Sequence, residues 1–414
     1  MTERSIRITF LDVLEMTLFA LILNLNALKI VTGINENGLV VGVFAAFAAV
    51  VVLNKIRTDG LNFRFDSTLL LVLAIFVMTA VISMVFTGAN GIVALIKFLA
   101  GIVIAYLASQ MRWTNRMGGL KISVATSLLY SVFLIVRYSW IYATYTSGST
   151  GTSNYLVVTL PVGLGLSLAL VLLTMTKTSP LEKVLYISAV VVQTIALMQY
   201  PARGNLIFPL VLTAVLLVYK NWNKPKFLFL SLLLIAVLSV GLFWITTELG
   251  NSYLQYRMTR MFESQDQEQR IPLYGYYLGY IFDHMNYLLG QGFKNSADVL
   301  VQGGFHENYP HNFLLEIIGE MGFVGIALLA VVGYKIIKGE YNQIKYFREL
   351  DIDDRKKQEG WFFAANAGLL FYLMTYFKSY SIYDGYQLFI FIAFMIHSDM
   401  AFDDIYLEQE QEEE

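Results

Sequence analysis

Runs of mostly apolar residues recur along almost the whole chain, and each is about as long as the roughly 20 residues a helix needs to cross a bilayer. Twelve can be drawn, at 11–32, 37–53, 67–87, 91–108, 122–145, 154–175, 183–200, 204–220, 227–247, 312–337, 360–378 and 383–400. In hydrocarbon every backbone N–H and C=O must be satisfied within the protein, so a lone apolar run of this length resolves as a helix. The expected fold is therefore all-α: a polytopic membrane protein of about 12 transmembrane helices. Composition agrees. Only 14% of the 414 residues are charged and mean hydropathy is +0.58, whereas soluble proteins carry roughly 25% charge.

Lysine and arginine set the orientation. The N-terminus and the segments after the second, fourth, sixth, eighth and tenth spans hold 20 of them, from Arg4 and Arg7 to the seven between Lys335 and Lys357. The opposite loops hold six: Arg203, Arg257, Arg260, Arg270, Lys294 and Lys378. Positive charge stays on the cytoplasmic side, so both termini are expected there. Arg4 and Arg7 precede the first apolar run without a small-residue cleavage site, so that run is expected to remain as an anchor.

The chain divides into a first helical block (1–247), a loop of 64 residues on the outer side (248–311), a second helical block (312–400) and an acidic tail (401–414). A loop this long is functional or disordered. Its Tyr- and Leu-rich stretch RIPLYGYYLGYIFDHMNYLLGQGF has apolar residues at helical spacing, so amphipathic helices are expected at about 251–264 and 269–288. There is no cysteine, which excludes disulfides and thiolate chemistry. A net charge of −2 offers no field for nucleic acid. No HExxH, P-loop or GxSxG pattern supports metal, nucleotide or serine-esterase chemistry.

Charge inside a membrane is costly and marks cavities or partners. Lys29, Lys97 and Arg137 fall within the outer halves of predicted spans, and Lys29 is expected to snorkel to the interface. Arg203 sits at an outer junction, Arg257, Arg260 and Arg270 in the large loop, and His311 at the mouth of the tenth span, in YPHNFLLEIIGEMGFVG (309–325). A cationic surface of this kind suits a lipid phosphate or pyrophosphate. The bland alternatives are structural pairing for Lys97 and Arg137 and an exposed charged face for Arg257 and Arg260. Glu316 and Glu320 share one face of the tenth span with part of the Gly319, Gly322, Gly325 run, which points to structural roles for both.

The pattern His311-Asn312, Leu315, Glu320, Gly322 and Gly325 resembles the O-antigen ligase and polymerase superfamily of bacterial surface-polysaccharide enzymes. Arg203-Gly204 at a span boundary, and Arg270 opening a helix that ends in LLGQGF (288–293), agree with it. Ala202 before Arg203 and Met285 after His284 depart from the usual pattern. The specific motifs lie between about 200 and 326.

The resemblance implies a GT-C-like glycosyltransferase in the bacterial cytoplasmic membrane, with its site on the extracytoplasmic side and neither cofactor nor metal. The donor would be a polyprenyl-pyrophosphate-linked oligosaccharide. Arg203 and Arg270 would stabilise the leaving pyrophosphate and His311 would deprotonate the acceptor hydroxyl, imidazole ordinarily titrating near neutral pH. Arg137, Lys97, Arg260, Arg257 and Asn312 would bind the substrate, with Glu320, Glu316 and Gly322 supporting the helix beneath. The first reading is a polymerase of repeat units for O-antigen or capsule, with a chain-length regulator as a further partner. The second is a ligase that passes glycan to lipid A-core or another acceptor. A transporter or flippase would explain the spans but leaves the large loop without a purpose.

Overall fold

The computed structural model describes residues 8–33, 37–60, 65–87, 91–141, 155–200, 202–221, 270–284, 286–305, 309–349 and 352–397, with a few isolated positions between them. The expected span 227–247, the amphipathic helix at 251–264, Arg257, Arg260 and the acidic tail lie outside the described residues, or nearly so for the span.

The described residues form helices only. In chain order these are α1 (Phe10–Leu23), α2 (Leu25–Thr32), α3 (Asn37–Asp59), α4 (Ser67–Thr87), α5 (Ile92–Gln110), α6 (Trp113–Val136), α7 (Tyr138–Ile141), α8 (Tyr155–Met175), α9 (Pro180–Gln199) and α10 (Arg203–Asn221). After the large loop begins come α11 (Arg270–Asp283), α12 (Ser296–Gln302), α13 (Phe313–Glu349), α14 (Ile352–Lys378), a 3-10 turn (Ile382–Asp384) and α15 (Tyr386–Ile396). Among the described residues eight helices are long and apolar enough to span a membrane, and the bent pair α1–α2 makes a ninth. The chain is thus a polytopic, all-helical membrane protein. Apolar side chains such as Leu71, Met78 and Val85 on α4 stand exposed, as a lipid-facing surface requires.

Several spans run longer than the sequence reading, among them α3, α13 and α14, and three differ in course. The run 11–32 is two helices bent by 78°. The break falls at Asn24, whose side-chain amide donates to the Ala20 carbonyl at 2.9 Å and to Ser123 Oγ at 2.7 Å. The run 122–145 is a helix that begins at Trp113 and ends at Arg137. It tolerates Arg116 because that fully buried guanidinium donates to the Met111 and Ser109 carbonyls and lies over the rings of Trp361 and Phe394. The run 383–400 is a turn followed by the 11-residue helix α15, shorter than a bilayer.

α8 is the most enclosed span, packed against α6, α9, α10 and α14. At one end of the bundle Asn54 and Asn115 amides each bridge the buried Asp12 and Glu15 carboxylates, which ties α1, α3 and α6 together. At the other end lie the N-termini of α10 and α13, the C-terminus of α14 and the described part of the large loop. The candidate site is there.

Candidate active site

The short connection from α14 to α15, residues 378–384, is where the parts meet. Arg270 opens α11 and donates through Nη1 to the Lys378 carbonyl at 2.8 Å. Tyr309 donates from its hydroxyl to the next carbonyl, that of Ser379, at 2.5 Å. Burial pushes the Tyr309 phenol above its ordinary value, so it remains a donor. Ser381 Oγ and the Ile382 N–H both donate to Glu316, at 2.7 and 2.9 Å. Tyr383 donates its hydroxyl to Glu320, and Asp384 pairs with the exposed Lys97 at 3.2 Å. Five side chains distant in sequence are therefore registered on seven consecutive residues.

Glu316 and Glu320 are completely buried on α13. A buried carboxylate is tolerable only when its oxygens are taken up by donors, and these are. Glu320 accepts from the Lys294 N–H at 2.7 Å, Ser296 Oγ at 2.6 Å and the Ser296 N–H at 3.3 Å, besides Tyr383. The Lys294 ammonium stands 3.8 Å from Glu316 and 5.1 Å from the centre of the Tyr383 ring. Behind Ser296, Tyr277 of α11 bonds its hydroxyl at 2.7 Å and accepts from Gln291 Nε2 at 2.6 Å.

The helix α13 breaks at Gly322, with φ 54° and ψ −135°. The break lets the LLGQGF segment pack directly on the span. Gln291 N–H donates to the Gly319 carbonyl at 2.8 Å, Gly292 N–H to that of Glu320 at 3.1 Å, and Phe323 N–H to that of Leu288 at 3.2 Å. A side chain at Gly322 would meet the Gly290 nitrogen at 2.5 Å. Two motifs separate in sequence are one structural unit.

His311 precedes α13 in the left-handed backbone region, at φ 54°, which is uncommon for a residue with a side chain. Its Nε2 lies 2.8 Å from Glu307 Oε2, and the Tyr309 ring packs on it with centroids 4.4 Å apart. Its Nδ1 is buried and has no hydrogen-bond partner among the described residues. Asn312 caps α13, accepting from the Leu314 and Leu315 N–H groups at 3.0 and 3.2 Å.

The structure thus brings Arg270, His311, Glu316, Glu320 and Lys97 to one segment. Arg203 opens α10 at the same end, its neighbour Gly204 standing beside Lys378, but the Arg203 side chain lies outside what is described. Arg137 is exposed at the C-terminus of α6, with no ion pair to the others among the described residues. Sequence reasoning missed Glu307, Tyr309, Ser296 and Tyr383 altogether and counted Lys294 and Lys378 only for topology. Glu307 stands four residues before His311, the one spacing that signals it.

No curated protein matches the chain. Residues 187–330 match the family model described as O-antigen ligase. That stretch runs from α9 into α13 and holds Arg203, Arg270, His311, Glu316, Glu320 and the break at Gly322. The likeness anticipated from His311-Asn312, Glu320 and the glycines is therefore met independently: residues 187–330 of this polytopic membrane protein are similar to the O-antigen ligase family.

Proposed function

We propose that the chain polymerises polyprenyl-pyrophosphate-linked oligosaccharide repeats at the outer face of the bacterial cytoplasmic membrane, by metal-independent, inverting, GT-C-like glycosyl transfer. The reading takes 12 spans with both termini cytoplasmic, as the charge distribution favours. One observation carries it: Arg270 and the Tyr309–His311 pair are fixed on the adjacent carbonyls of residues 378 and 379. A guanidinium that can bind an anion and, through Tyr309, an imidazole that can act as a base are therefore tied to the same segment.

In the reaction the acceptor hydroxyl oxygen attacks the anomeric carbon while the bond from that carbon to the pyrophosphate oxygen breaks. Negative charge grows on the departing lipid pyrophosphate, and Arg270, with Arg203 at the start of α10, stabilises it. The hydroxyl proton passes to His311. Glu307 accepts the Nε2 hydrogen and so leaves Nδ1 as the nitrogen with a lone pair, then stabilises the imidazolium that forms. Glu316 and Glu320 hold the walls.

The description of the matched family favours a second reading, a ligase that passes the glycan to lipid A-core or another acceptor. Purified protein given lipid-pyrophosphate-linked repeats and no other acceptor separates the two. A ladder of longer lipid-linked products, absent in His311→Ala, supports the polymerase. Consumption only after a second acceptor is added supports the ligase. A donor left intact under both conditions removes both readings and leaves a transporter.

A further inference from the structure

α11 belongs to the large loop, yet its only charged side chains are those of its first and last residues, Arg270 and Asp283. One flank, formed by Leu273, Tyr277 and Ile281, is buried against Val299 and Leu300 of α12. Another carries Ile271, Gly275, Leu278 and Phe282, at helical spacing and without a polar side-chain atom. Ile271 is 65% exposed and Phe282 is 64% exposed, and nothing stands within 4 Å of where a Cβ on Gly275 would be. A helix in water keeps a polar face outward, whereas a helix apolar on both faces is covered on both. What covers the second face is shown by where it leads. Phe282 packs on Tyr287 with ring centroids 6.2 Å apart, and Tyr287 packs on Phe323 of α13 at 6.3 Å. The Phe323 N–H donates to the Leu288 carbonyl at 3.2 Å, next to Leu289, which is 73% exposed. Phe323 is itself 55% exposed, on a helix long and apolar enough to span a membrane. It comes ten residues after Phe313, the first of α13, which is about 15 Å of helix at 1.5 Å per residue, against a hydrocarbon core of about 30 Å.

We infer that the Ile271–Leu278–Phe282 flank of α11, together with Leu289, is a lipid-docking surface, immersed in the leaflet at the candidate site's end of the bundle. Its occupant is the acyl-chain hydrocarbon of the bilayer. The surface is apolar and uncharged, and through Tyr287 it continues into the lipid-facing side of α13. Contiguous exposed apolar surface of this kind marks an interaction site, which singly scattered apolar residues do not. A protein partner arriving from water would have to reach Phe323 within the depth of the membrane. The surface contains none of the groups assigned to glycosyl transfer, so it holds equally for a polymerase and a ligase. Arg270 opens the same helix, and immersion of α11 keeps its guanidinium at the level of the lipid phosphates.

The chain has no cysteine, so a single introduced one carries a nitroxide spin label without competition. The full-length chain, in vesicles of phosphatidylethanolamine and phosphatidylglycerol, is labelled in turn at Phe282→Cys, Leu289→Cys, Phe323→Cys as the reference on α13, and Asp298→Cys as the reference on α12. All four side chains are exposed. Collision of each label with oxygen, which concentrates in hydrocarbon, is compared with collision with a nickel chelate confined to water. Labels at 282 and 289 are expected to meet oxygen more often than nickel, as the label at 323 does, and the label at 298 to show the reverse. Collision dominated by nickel at 282 and 289 puts the flank in water and overturns the inference. Little collision with either reagent there means that protein covers the flank, whether this chain or a second copy, and overturns it equally.

Discussion

Replacing Gly322 by alanine tests the junction on which the site is built. At φ 54° and ψ −135° the backbone is in a region that glycine alone enters readily. Forcing a side chain into it costs about 1–3 kcal/mol. The new Cβ would also stand 2.5 Å from the Gly290 nitrogen and 2.8 and 2.9 Å from the Leu288 carbon and oxygen. These are backbone atoms, so no rotamer change relieves the clash and the LLGQGF segment must move off α13. That breaks the bonds Gln291 to Gly319, Gly292 to Glu320 and Phe323 to Leu288, each worth about 0.5–1.5 kcal/mol net. The combined loss is about 3–6 kcal/mol. Gly333, on the same helix with nothing within 4 Å of a Cβ, is the control. Alanine there is neutral or stabilising by up to about 1 kcal/mol. Thermal unfolding of both purified variants in detergent reads the difference, with Gly322→Ala expected to melt roughly 5–10 °C below the native chain. If Gly322→Ala melts with the native chain, the break is not a fixed junction and the argument for a rigid site fails.

Two further outcomes follow from named contacts. Glu307→Gln keeps the size of the side chain but removes the charge that faces His311 Nε2, so kcat is expected to fall roughly 10- to 100-fold with KM little changed; Glu307→Asp should recover part of it, and a KM effect alone would assign Glu307 to binding. Asp66 caps α4 and pairs with Lys335 of α13. Burial acts to raise its carboxyl, but the Lys335 ammonium and the Leu69 N–H outweigh it and hold the group below its ordinary value. A lowered folded-state pKa contributes stability that is present above the unfolded value of about 3.9 and is lost as pH falls through the folded value. The native chain should therefore lose more melting temperature than Asp66→Asn on acidification below about pH 4, and parallel curves would refute the ion pair.

The sequence disclosed most of the bundle because burial in lipid leaves a one-dimensional record in hydropathy. It misplaced the start of α6 for a physical reason. A window average counts Arg116 as a cost, whereas the folded chain meets that guanidinium with two carbonyls and two aromatic rings. The structural reading of Glu316 and Glu320 was within reach, since two acids one turn apart in an apolar helix need donors, but the donors themselves were not. Lys294, Ser296, Ser381 and Tyr383 come from loops with no periodicity, and Arg270 and Tyr309 are held by backbone carbonyls. A carbonyl is present whatever the side chain, so such a contact leaves no trace in residue identity.

The division of labour along YPHNFLLEIIGEMGFVG follows from where hydrogen bonds are used up. Both oxygens of Glu316 and of Glu320 receive donors from the two flanking loops, so both carboxylates are engaged in tying those loops to the helix. Asn312 places its side-chain oxygen on the first N–H groups of the helix. His311 in that stretch keeps a ring nitrogen without a partner among the described residues, while its other nitrogen is held by Glu307 and its face by Tyr309. An unspent acceptor on a ring that is otherwise fixed is the arrangement a general base requires. The acids one and two turns below keep that ring in register with Arg270 by locking the connection at residues 378–384 to the same helix.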